Sequence, residues 1–351
     1  MTLPPEVLFH RYFQELGPWE RRKYHGKHDL RGLEPLEQLL IGIQDALNEG
    51  LNEEHRDPQH SDCRPFHFDY IDSTVQNARA FRYGSYFFIG ITIPLVHALW
   101  SSCHLLSRSD LIASALGVRL KGEERDGLRT VSFRTTLSFL ALHEWTHHAH
   151  GHLDVHGSEP TSLDELLHRD QPGGLERQAL EVDADGYAVF LVLNNLIAGS
   201  ARLSAVTFLN FDAESESVQD EVLLSCFVVA VGACLYALPP ATVDSAEIYA
   251  RAHPPQAERM NRLMQQAMRW CQQVRPDLVA WMTPPRFQEL MTSSAETILG
   301  DGGMSWAAQT AFLTSTAGRE YNQMLDSVCQ AYVRSLSADA KAPAMTRAGP
   351  E

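Results

Sequence analysis

Hydrophobic positions recur at helical spacing over Leu36–Leu51, where Pro35 suits the start of a helix. The pattern then changes. Glu53–Pro65 is polar and closed by a proline, as loops are. Phe68–Ile71 reads as a short strand, and Tyr86–Ile93 (YFFIGITI) as a stronger one rich in β-branched and aromatic residues. A helix follows from about Leu95 to Leu106. Val118–Val131 carries the polar insert Lys121–Gly127 and reads as a hairpin or a mobile loop. Ser132–His152 and Leu175–Leu196 read as two long helices, the second stopped by Gly199. Between them His156–Gly174 is polar and acidic and ends in Pro172-Gly173-Gly174, a candidate lid. Further helices are predicted over about 217–238, 244–252, 256–273, 284–298 and 305–337, with a disordered tail from Ala338.

These patterns predict an α+β, predominantly helical protein with one small sheet. They divide it into an N-terminal segment (1–65), a core (66–275), a helical extension (276–337) and the tail (338–351). The 351 residues suffice to bury a sizeable core. Val222–Leu238 is almost wholly apolar, but as a helix it spans about 25 Å against a hydrocarbon layer of roughly 30 Å. A buried core helix is expected there, and no membrane insertion.

A formal charge of −15, with no long Lys/Arg run, argues against nucleic acid as a partner. The six cysteines are scattered without a CxxC pair, as reduced core cysteines are. The N-terminus lacks the basic-then-apolar plan of a signal peptide, so a cytoplasmic location is expected.

The chemistry concentrates at His143-Glu144-Trp145-Thr146-His147, an HExxH on the first long helix. Positions i and i+4 share a helix face, so His143 and His147 can grip one zinc ion, with Glu144 placed to act as general base and then acid. Catalytic zinc takes a third protein ligand. Glu181 on the second helix can supply it, and Asp185, one turn later, can orient a ligating histidine through its other ring nitrogen. A solvated acidic helix start would also explain these carboxylates, but not their pairing with an upstream HExxH. His148, His150 and His152 read as helix-end histidines favoured by the dipole, with packing against the site an alternative for His152, and Asp183 reads as a surface residue or a support for the ligands on another face.

With these residues in place, HEWTHHAHGH resembles the HExxHxxxGH helix of the HtpX and type I CAAX prenyl protease family of gluzincin metallopeptidases. Glu181-Val182-Asp183-Ala184-Asp185 matches that family's ExxAD, and the segment from His253-Pro254 to Arg259 its HPxxxxR. Asn77-Ala78-Arg79-Ala80 resembles its NAfA segment. Together these cover a bit over half the chain. The resemblance implies a zincin-like core with an edge strand flanking the HExxH helix, His253 and Arg259 near the substrate as oxyanion stabilisers, and Asn77 and Ala78 as substrate-binding positions. A looser similarity is to the Lit-type phage-exclusion peptidases. An extended peptide is expected to add to the open side of Tyr86–Ile93.

The expected activity is that of a zinc-dependent endopeptidase acting on a protein or peptide substrate. The alternative is a catalytically restrained or inactive zinc protein serving as a peptide-binding or regulatory module.

Overall fold

Phe9, Tyr12 and Phe13 recur at i, i+3 and i+4 on α1 (Pro5–Glu15), and this stripe becomes the apolar floor beneath a sheet. The computed structural model describes residues 3–54, 65–154, 174–211, 214–238, 247–300 and 304–339. Its chain forms two compact units, each discontinuous in sequence. One comprises Met1–His97, His143–His168 and Gln330–Glu351, the other Ala98–Leu142 and Arg169–Cys329.

In the first unit, β1 (Tyr24–Lys27) is followed by α2 (Glu37–Glu54), β2 (Phe66–Ser73), β3 (Ala78–Tyr83) and β4 (Tyr86–Thr92). The four strands form one mixed sheet in the order β1-β2-β4-β3. β4 runs parallel to β2, and the β1–β2 and β3–β4 pairs are antiparallel. A two-residue turn, with Gly84 at φ 59°, joins β3 to β4. Alternation then sorts the side chains. Phe81, Phe88 and Ile71 face the α1 stripe and, with Tyr24, close one core. Phe66 and Phe87 take the opposite face.

The N-terminal half of β2 lies beyond the pairing with β1, and α2 closes it with side chains. Asn48 donates to Phe68 O and accepts from Phe68 N, at 3.1 and 2.7 Å. Asn52 does the same for Phe66, at 3.0 and 2.9 Å. A carboxamide carries one donor side and one acceptor, so each asparagine imitates a peptide unit of a neighbouring strand.

α3 (Ile93–Arg108), α4 (Asp110–Leu116) and α5 (Gly122–Ala149) follow. α4 is capped by Ser109, whose hydroxyl accepts from Ile112 N, and ends at left-handed Gly117. The second unit continues with α6 (Gly174–Leu193), α7 (Ala201–Leu209), α8 (Glu216–Ala237), α9 (Gln256–Val274), α10 (Pro284–Leu299), α11 (Met304–Thr314) and α12 (Thr316–Asp339). α8 is apolar on every side and packs against α10; α6 packs against α9. Among the described residues α8 is the one single helix long and apolar enough to cross a membrane, and 89% of that window is buried inside the structure.

Several expectations need correction. Tyr86–Ile93 is not an edge strand: β4 lies between β2 and β3, and β3 takes the edge. Continuous apolarity on both faces of β4 is the mark of an interior strand. Val118–Val131 is neither hairpin nor loop, because from Gly122 it is the first part of α5. Lys121 N donates to the Glu124 carboxylate, and the charges Arg108, Arg125, Asp110 and Asp126 pair across the neighbouring turns. The helix expected over 305–337 is two helices divided at Ser315. Over 244–252 the described residues hold only a short 3-10 turn, Ile248–Ala250. Most of the expected 53–65 loop, the 156–174 lid apart from Gly174, and the tail beyond Asp339 lie outside the described residues.

Candidate metal centre

The last turns of α5 belong to the first unit, and two of their side chains dock on its sheet. Trp145 is buried against Phe66, with ring centroids 5.9 Å apart. His148 Nε2 donates to Phe88 O at 3.1 Å, and its ring lies 4.6 Å from that of Phe87. His148 is therefore a docking residue for the helix, a role that its place near the helix end did not suggest.

On a different face of the same turns, His143 and His147 are 2% and 0% exposed, and Glu144 between them is also buried. Their Nε2 atoms stand 3.2 Å apart with the rings nearly perpendicular, at 82°. Two nitrogen ligands on a tetrahedral zinc, at about 2.0–2.1 Å each, stand roughly 3.3 Å from one another. The pair thus has the separation that a shared ion requires. The helix ends just beyond it. His150 N makes a last helical bond to Thr146 O, and Gly151 at φ 72° turns the chain so that His152 comes back. His152 Nδ1 then lies 2.9 Å from His147 Nδ1.

In the second unit α6 carries the acidic residues. Glu181 is buried, and its Oε2 lies 3.0 Å from His253 Nδ1. Asp185 accepts two bonds from Arg259 of α9, from Nε and Nη2, both 2.8 Å. Asp185, read from sequence as a histidine-orienting group, thus has a guanidinium partner.

A further network leads to His253. Gln178, fully buried one turn before Glu181, donates to Ile248 O at 2.8 Å and Arg251 O at 3.0 Å. It accepts in turn from the Tyr321 hydroxyl, which burial keeps protonated well above the ordinary phenol range. Gly174 lets the start of α6 approach this segment, because a Cβ there would come within 2.1 Å of Tyr249 O. Neither Gln178 nor Tyr321 carried a sequence signal beyond a polar residue on an otherwise apolar helix face.

The ligand atoms of His143, His147 and Glu181, all buried, lie within 4.8 Å of one another and could hold a metal ion. A second group, His150, His152 and Asp183, meets the same test. Two imidazoles and a carboxylate are a donor set suited to zinc. Asn77 and Ala78, in contrast, are buried at the start of β3. Asn77 N donates to Thr92 Oγ1 and its Nδ2 to the Tyr24 hydroxyl, both at 2.8 Å, so its polar groups knit the sheet.

Comparison with known proteins finds no matching family model, no similar curated protein and no similar solved structure. The resemblance to gluzincins therefore rests on the sequence motifs alone.

Proposed function

We propose that this chain is a zinc-dependent endopeptidase of gluzincin type, with His143, His147 and Glu181 holding the ion and Glu144 serving as base and then acid. The observation that carries the reading is the convergence of those three buried ligand groups beside a buried Glu144. A zinc ion held by these residues would supply Lewis acidity for polarising a scissile carbonyl and acidifying an attacking water. Glu144 accepts a proton from that water as its oxygen bonds to the carbonyl carbon. It returns the proton to the amide nitrogen as the C–N bond breaks, leaving an amine and a carboxylic acid that then ionises.

His253 is partly exposed beside Glu181 and is assigned to the carbonyl oxygen, where an N–H donor lowers the cost of developing negative charge. Arg259, which the motif alone would place at the substrate, is committed to Asp185 and is assigned to holding α9 against α6. β3 is the sheet's edge on the β4 side, so a bound peptide would extend the sheet there rather than at β4.

The test compares lysates treated with the wild type and with Glu144→Gln, reading new protein N-termini by mass spectrometry. Cleavages made by the wild type and absent with the variant are expected. Equal cleavage by both removes the assignment of Glu144. One tightly held zinc with no cleavage by either favours the inactive, peptide-binding alternative.

A further inference from the structure

We propose that His152 is a positioning residue for the metal ligand His147, an inference that rests on the zinc reading of His143, His147 and Glu181. The geometry is local to one helix end. His147 points Nε2 toward His143 Nε2 at 3.2 Å and Nδ1 toward His152 Nδ1 at 2.9 Å. All three rings are buried, with His152 only 1% exposed, so water does not compete easily for these atoms.

Proton bookkeeping gives each ring its part. A contact of 2.9 Å between two Nδ1 atoms is attractive only when one of them carries the hydrogen. If His147 gives the Nε2 lone pair to a metal, its hydrogen sits on Nδ1. His147 is then the donor and His152 the acceptor, and His152 carries its own hydrogen on Nε2. Metal-ligating histidines usually donate this second N–H to a carboxylate, a backbone carbonyl or water, which fixes the tautomer and ring orientation. Here a neutral imidazole takes that place. The device depends on Gly151, whose left-handed backbone ends α5 and returns the chain in two residues.

The experiment measures zinc affinity of the full-length protein by competition with a chromophoric chelator. The variants are His152→Asn, which retains an acceptor, His152→Leu, which keeps bulk without one, and His143→Ala. Circular dichroism of the metal-free forms checks that each is folded. Loss of the acceptor in His152→Leu is expected to weaken zinc binding by about 10–100-fold, with His152→Asn recovering most of that loss. In the zinc-loaded wild type, nitrogen-15 NMR should find the His152 hydrogen on Nε2 and a coupling across the hydrogen bond between the two Nδ1 atoms, a signature that neither packing nor zinc ligation alone produces. The proposal is overturned if His152→Leu and His152→Asn bind zinc alike, or if the His152 hydrogen is on Nδ1. Failure of the underlying metal reading looks different: there His143→Ala binds zinc as tightly as the wild type, or the wild type holds none.

Discussion

Arg259 holds Asp185 through two parallel hydrogen bonds of 2.8 Å, and both side chains are almost wholly buried. A planar guanidinium fork matches a carboxylate in a way an ammonium cannot. Removing one member strands the other charge where water cannot reach it. Asp185→Asn and Arg259→Met are each expected to cost about 3–5 kcal/mol in urea unfolding. Replacing both with apolar residues of similar volume should cost far less, which separates a lost attraction from a stranded charge.

Gly127 tests the segment that sequence reading took for a loop. A Cβ there would lie 1.8 Å from the carbonyl oxygen of Phe208, a backbone atom that cannot swing aside. Alanine ordinarily favours a helix over glycine by about 1 kcal/mol. Forcing the α5–α7 contact apart costs about 1–3 kcal/mol, occasionally more, and the severity of this clash puts it at the upper end. Gly127→Ala is therefore expected to lower the melting temperature, whereas a gain would show that the two helices separate easily.

What was legible in the sequence was local. The α5 and α6 motif helices, the apolar α8 and the strong β4 all announce themselves by period and composition. Strand order is not local: YFFIGIT looks the same at an edge as in the middle until its partners are known, although its two apolar faces pointed to the interior. Gly127 made the start of α5 resemble a loop, because glycine there serves a close approach rather than a turn. HExxH named three candidate site residues, while the hydrogen-bond partners of His148, His152 and Gln178 required coordinates. Their partners are an imidazole, main-chain carbonyls and a distant tyrosine, and none of these follows from spacing.

Burial of thiols gives a pH-dependent prediction. Cys103 and Cys226 are fully buried, and each thiol is pushed up to about 12. Alkylation needs thiolate, so at pH 8 both should resist iodoacetamide in the folded protein and react in urea. The linkage has a definite sign. The unfolded thiols ionise near about 8.5 while the folded ones stay protonated, so stability falls as pH rises from there toward 12. Peptide mapping of labelled cysteines across pH checks the first point, and thermal unfolding at alkaline pH of Cys103→Ala beside the wild type checks the second.

A ligand that binds only the folded chain stabilises it, by about 2.7 kcal/mol when present at 100 times its dissociation constant. Zinc is expected to raise the melting temperature of the wild type, and a chelator to return it. His147→Ala or Glu181→Gln should shrink that rise, and an undiminished rise in both variants would place the ion elsewhere.

Asn48 sits where a strand would otherwise be needed. Asn48→Leu removes a donor and an acceptor from the Phe68 peptide and is expected to cost about 1–3 kcal/mol in denaturant unfolding. Asn48→Asp should also destabilise, since it returns the acceptor but not the donor.

The two asparagines also set a limit on this kind of cover. Equivalent helix positions recur every four residues, about 6.0 Å along the axis, while outward peptide units of a strand recur every two, about 6.7 Å. The two rulers agree closely enough for one step, which is the step Asn48 and Asn52 take along Phe68 and Phe66. Each further step would add about 0.7 Å of mismatch and soon exceed the tolerance of a hydrogen bond. A helix can therefore stand in for a strand over about two rungs, and β2 uses that allowance at the end where β1 no longer accompanies it.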